Sequence, residues 1–213
     1  MNINDVIKAL KEYDGEKITL MEVCGTHTAS ISENAIPSII SDKIHLISGP
    51  GCPVCVTVSD YVDKLIELAL EGNVIVTFGD MIRVPGKEKA LKDIKADGAD
   101  IRMVYSPMET IELAKAEPNK NFVFAAVGFE TTTPIYALLL DEIIKQKIEN
   151  VQLLTALKTI PNVIATLCEA DNKIDGFIAP GHVAVITGSN AFVPLAEKYN
   201  LPFAVSGFEA EEI

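Results

Sequence analysis

Apolar positions along the chain fall into short β-rich runs, each followed by a stretch with helical periodicity. The runs predict strands at 18–23, 44–48, 74–78, 101–105, 122–127, 151–155, 176–179 and 203–206. The clearest helix between them is 59–71, where Val62, Leu65, Ile66, Ala69 and Leu70 keep the i, i+3, i+4 spacing of one buried face. Ser59 and Asp60 are placed to supply its N-cap. Strands that alternate with helices in this way predict an α/β fold with parallel sheets, whose ligands bind outside the carboxyl ends of the strands.

The polar, Gly/Pro-punctuated segments sit where that rule needs them. Cys24-Gly-Thr-His-Thr28 follows the first strand, Gly49-Pro-Gly-Cys-Pro-Val-Cys55 the second, and Gly79-Asp-Met-Ile-Arg-Val-Pro-Gly86 the third. Gly128-Phe-Glu-Thr-Thr-Thr-Pro134 follows the fifth and Pro180-Gly-His182 the seventh. All are expected on one edge. A break at 116–120, through Glu117-Pro-Asn-Lys120, predicts two Rossmann-like βαβ domains, 1–118 and 119–213. A short echo, Phe124-Ala-Ala-Val-Gly-Phe-Glu130 against Phe203-Ala-Val-Ser-Gly-Phe-Glu209, is what related halves would leave, and so is convergence on a common turn. Residues 209–213 resemble the first turn of a helix, so the chain is expected to be a fragment with a truncated second domain.

Composition narrows the function. With 48% apolar residues the chain can build a core, and 18 basic against 30 acidic residues give a net charge of −12. That charge repels nucleic acid and anionic lipid, and no basic patch is evident along the chain. The longest apolar runs are strand-sized, far below the roughly 18 residues of a membrane span. The first residues have no signal-peptide pattern, so a cytoplasmic location is expected. Thiols stay reduced there, and the four cysteines read as ligands, nucleophiles or redox groups rather than a disulfide framework.

Cys52 and Cys55 form a C-x-x-C ahead of a helix, on a loop stiffened by Pro50 and Pro53, suited to chelating a metal or closing a small disulfide. Cys24 ends a strand with His27 three residues on, so thiolate and imidazole could face one ligand. Together the four make a Cys₃His set, which keeps a structural zinc in contention. Asp80 and Arg83, and Glu130 with Thr131, are candidates for orienting a ligand, although capping or a loop ion pair would explain them as well. His182 is either a turn histidine or a proton shuttle; His45 and Cys168 read as structural. No Gly-x-Gly-x-x-Gly, P-loop or Gly-x-Ser-x-Gly motif is present.

Taken together, Cys24-Gly-Thr-His-Thr28, Gly49-Pro-Gly-Cys-Pro-Val-Cys-Val56, Phe78-Gly-Asp-Met-Ile-Arg-Val-Pro-Gly86, Gly128-Phe-Glu-Thr-Thr132 and Pro180-Gly-His-Val183 closely resemble the HypD family of [NiFe]-hydrogenase maturation factors. The resemblance implies a scaffold on which an Fe(CN)₂CO unit is assembled, with a HypC-like chaperone and a HypE-like cyanide donor as partners. It implies that Cys24 ligates the iron and that Cys52 and Cys55 are a redox pair. Thr26, His27, Asp80, Arg83, Glu130, Thr131 and His182 would then support the cleft. It also implies a [4Fe–4S] cluster in a cysteine-bearing region beyond these motifs, whose ligands Cys168 alone does not replace.

Overall fold

The structure, a computed structural model, describes residues 2–170 and 173–213. Its elements in chain order are α1 (Ile3–Lys11), β1 (Ile18–Glu22), α2 (Gly25–Glu33), α3 (Ile36–Ile39), β2 (Ile44–Ser48), α4 (Ser59–Leu70), β3 (Val74–Thr77), α5 (Leu91–Ala96), β4 (Ile101–Met103) and α6 (Glu109–Ala116). They continue as β5 (Phe122–Gly128), α7 (Thr133–Lys145), β6 (Val151–Leu157), α8 (Ile160–Glu169), β7 (Gly176–Pro180), α9 (Gly181–Thr187), α10 (Val193–Tyr199) and β8 (Phe203–Ser206). All eight expected strands are found, each end within two residues of its expected place. The helix expected at 59–71 is α4, but its N-cap falls on Val58, which makes no side-chain capping bond; Ser59 and Asp60 are already in the first turn.

The strands form two all-parallel sheets, β2-β1-β7-β8 and β4-β3-β5-β6. Counted within its own sheet, each runs second, first, third, fourth, so each reverses direction of growth between its first and third strands. One compact unit comprises residues 1–52 and 159–213, the other residues 53–158. This differs from the division expected at 118/119. The polar break at 116–120 is only the loop from α6 to β5, which lies beside β3 in the same sheet. The echoed segments are not equivalent either, because β5 is third in its sheet and β8 fourth. A common strand-to-turn solution accounts for the echo.

In the unit 53–158, side-chain alternation along β3 and β5 divides the core. Ile75, Val123, Ala125 and Val127 join Val62, Leu65, Leu91 and Ile94 on one face. Val74, Val76, Phe122, Phe124 and Ala126 join Ile111, Tyr136, Leu139 and Ile143 on the other. Helices thus cover both faces, and β5 is buried along its whole length, which is why it reads as an unbroken apolar run. In the other unit, β7 is likewise buried throughout while β1 is buried only toward its carboxyl end. Among the described residues, no helix is long and apolar enough to cross a membrane.

Candidate functional site

The expected single edge is two edges, one for each sheet. In each, the candidate residues flank the point where strand order reverses, the position at which doubly wound sheets bind ligands. In the first unit, the loop after β1 carries Cys24 and the helix after β7 carries His182. In the second, the loop after β3 carries Asp80 and the turn after β5 carries Glu130. The chain passes from the first unit to the second inside the C-x-x-C, so Cys52 closes one segment and Cys55 opens the next.

Cys24 is buried at the N-cap of α2, in extended conformation, and its thiol makes no capping hydrogen bond. Glu22, buried at the end of β1, accepts the Cys24 N–H at 2.9 Å on Oε2 and the Thr28 hydroxyl on Oε1. The loop after β2 presses on the same place. Gly49 N–H donates to Glu22 O at 2.7 Å. A Cβ on Gly51 would stand 2.3 Å from Cys24 Cα and 2.4 Å from its nitrogen, a contact that only glycine accommodates. The Gly49-Pro-Gly51 segment is therefore the means by which the loop carrying Cys52 is brought onto the backbone of Cys24. Cys52 is half-buried and Cys55 exposed, and Thr26 is exposed in the first turn of α2.

His27 is fully buried. Its Nε2 lies 2.7 Å from Gly207 O and 3.2 Å from Ser206 Oγ, beyond β8 and at its end. A carbonyl only accepts, so Nε2 donates, and in the neutral ring Nδ1 carries the lone pair. That Nδ1 is buried without a hydrogen-bond partner, as is Nδ1 of His182. The Phe208 ring contacts both imidazoles, with centroids at 4.9 Å from His27 and 5.0 Å from His182. Burial, and then the charge of His27, hold His182 below the ordinary histidine pKa. Through Nε2, His27 ties the turn after β8 to α2.

In the second unit, Asp80 accepts Met81 N–H at 2.9 Å and so caps the short 3₁₀ turn Met81–Arg83, the structural role weighed for it. An open cleft of about 510 Å³ is lined by Gly79, Asp80, Ile82, Arg83, Lys92, Lys95 and Met103. Its three cations come from the 3₁₀ turn and from α5, which places Lys92 and Lys95 one turn apart. They make a basic patch that the linear sequence, with net charge −12, did not reveal. Glu130 is buried in the turn before α7, and Thr131 beside it is exposed. Tyr136 donates to Val127 O at 2.8 Å, and burial with the charge of Asp80 pushes its phenol up to about 12.

Cys24, Cys52 and Cys168 are free thiols. Among the described residues, no three His, Cys, Asp or Glu side chains are placed to hold a metal ion together. Cys168 lies half-buried in α8, its thiol pushed up by burial.

A family model named HypD and described as a hydrogenase formation hypA family matches residues 1–213. The chain belongs to the HypD family. The hydrogenase maturation factor HypD of Rhodobacter capsulatus is 43% identical over 198 residues, covering 92% of this chain and 52% of the relative. That of Escherichia coli is 40% identical over 200 residues, covering 92% of this chain and 54% of the relative. A relative in Methanocaldococcus jannaschii, named as a hydrogenase expression/formation protein, is 40% identical over 221 residues, covering 100% of this chain and 62% of its own length. The chain thus spans about half to three fifths of the length of these relatives. Four of the five motifs follow the strands that flank the two strand-order reversals, and the fifth, with Cys52 and Cys55, follows β2. Glu22 and the Lys92/Lys95 pair stand outside those motifs; the only sequence signal for Glu22 is an acid closing an otherwise apolar strand.

Proposed function

We propose that the chain serves [NiFe]-hydrogenase maturation in the cytoplasm as the scaffold on which an Fe(CN)₂CO unit is assembled, with a HypC-like chaperone and a HypE-like cyanide donor. The observation that carries this reading is the Cys24 thiol, held at a strand-order reversal with its side chain uncommitted. A soft thiolate suits iron that bears π-acceptor ligands. Iron in this reading is cargo, received and passed on. Cys52 and Cys55 supply the redox capacity: two thiols closing to a disulfide release two electrons and two protons. Asp80, Arg83, Glu130, Thr131, Thr26, His27 and His182 shape the surroundings, His27 by fixing the turn after β8.

Infrared spectroscopy of the chain co-produced with its maturation partners tests the role of Cys24. Nitrile and carbonyl bands are expected in the wild type and absent in Cys24→Ala, with circular dichroism showing that the variant is folded. Bands that persist unchanged in Cys24→Ala overturn the assignment. The exposure of Cys55 and half-burial of Cys52 favour a second reading, a thiol-disulfide oxidoreductase acting on protein substrates. It requires a mixed disulfide trapped through Cys52 or Cys55 without any iron-dependent band.

A further inference from the structure

The N-cap of α2 is held by a residue that does not cap. Helix N-termini leave backbone N–H groups unpaired, and a Ser, Thr, Asp or Asn at the N-cap ordinarily accepts one of them. Cys24 sits there with φ −152° and ψ 128°, the extended geometry of an N-cap, yet its thiol takes no part. Glu22, from the preceding strand, takes a different donor, the N–H of the N-cap residue itself, as the acid of a capping box does. Oε2 receives the N–H of Cys24 itself, and Oε1 the hydroxyl of Thr28 one turn along. Thr28 N–H in turn bonds Cys24 O at 3.1 Å, so the carboxylate closes a ring of hydrogen bonds around Cys24.

The physical balance is informative. Glu22 is 2% exposed, and burying a carboxylate is unfavourable unless donors and positive potential compensate. Here two donors and the N-terminal end of a nine-residue helix offset it. A serine or asparagine at position 24 would cap the N–H groups of the first turn and still need Glu22 for its own N–H. A cysteine in that place is explained if position 24 must be a thiol that is kept out of hydrogen bonding.

We propose that Glu22 is a positioning residue that fixes the backbone of Cys24 at the head of α2 while leaving its sulfur available to a soft metal or to thiol exchange. The proposal deepens the reading of Cys24 given above and rests on it only for what the sulfur binds. Its test needs neither iron nor partners, so its failure is distinct from failure of the scaffold reading.

The experiment compares Glu22 variants of the full chain, reading the urea midpoint and the native-state alkylation rate of each cysteine by mass spectrometry. Glu22→Ala is expected to lower the midpoint and to speed alkylation of Cys24 several-fold, with Cys168 unchanged as internal reference. Glu22→Gln, which keeps one acceptor oxygen, is expected to fall between the wild type and Glu22→Ala in both readouts. If Glu22→Ala does not fold, Glu22→Gln is read alone, and faster Cys24 alkylation at an unchanged Cys168 rate supports the positioning role. Cys24 alkylation at the wild-type rate in the folded variant overturns it.

Discussion

At the scale of residues, the first unit buries Glu22 and His27, and the half-buried His182 shares the Phe208 ring with His27. Burial first and His27 second lower the pKa of His182 from the ordinary 6.5. A lowered folded-state value means that the unfolded chain takes up the proton more readily. The stability His182 contributes is therefore fully present above the ordinary value and is lost as pH falls through the depressed one. His182→Gln removes this titration while keeping a polar side chain. The urea midpoint of the wild type should fall more steeply between pH 7 and pH 5 than that of the variant; parallel slopes would contradict the assigned direction. The candidate residues themselves were legible in sequence because each lies in a Gly- or Pro-marked segment after an apolar run. What each side chain does was not. His27 reads as a ligand partner from its spacing to Cys24, but its acceptor, Gly207 O, lies 180 residues away, where no local pattern points to it.

At the scale of elements, strands were the most legible feature, because a buried parallel strand such as β5 must be apolar at every position. Helix ends were less so. Ser59-Asp60 has the composition of a cap, yet α4 begins one residue earlier than that reading needs, and Val58 occupies the N-cap with 61% of its surface exposed. Its backbone, φ −74° and ψ 148°, already has N-cap geometry. Replacing an aliphatic N-cap by serine ordinarily stabilises a helix by about 1 kcal/mol. Val58→Ser is accordingly expected to raise the thermal midpoint of this unit, with the far-ultraviolet circular dichroism unchanged. No rise would mean that the N–H groups of the first turn are satisfied from elsewhere. The amino edge of this sheet holds a different kind of element. Arg102 pairs with Asp100 and Glu117, Lys120 joins both acids, and Asp100 is held at about 2, chiefly by its hydrogen bond from Arg102. Charge at that edge consolidates β4 and the α6–β5 loop, whereas the carboxyl edge carries the motifs.

At the scale of the whole molecule, strand order was hidden because the pairings that decide it are the least local. Leu20 of β1 stands opposite Gly176 of β7, so a complete second unit intervenes between two neighbouring strands. A linear reading looks for a boundary where polarity interrupts the pattern and finds 116–120, whereas the actual crossings lie at Cys52–Pro53 and Lys158–Thr159. The two units differ in what this implies for folding. Both apolar clusters of the second unit, with the helices that cover each face of its sheet, lie wholly within residues 53–158. Every strand of its sheet lies there as well. By contrast, β1 and β2 have only each other until β7 is supplied from beyond residue 158. Residues 53–158 produced alone should therefore melt cooperatively, with amides of β3 and β5 protected from hydrogen exchange as in the parent chain. Residues 1–52 alone should show neither property, because a two-stranded parallel pair leaves the flank of β1 that receives β7 without its partner strand. A fragment 53–158 that melts without cooperativity and exchanges freely would mean that its core depends on the other unit, and the C-x-x-C would then lie within one cooperative body rather than at the passage between two.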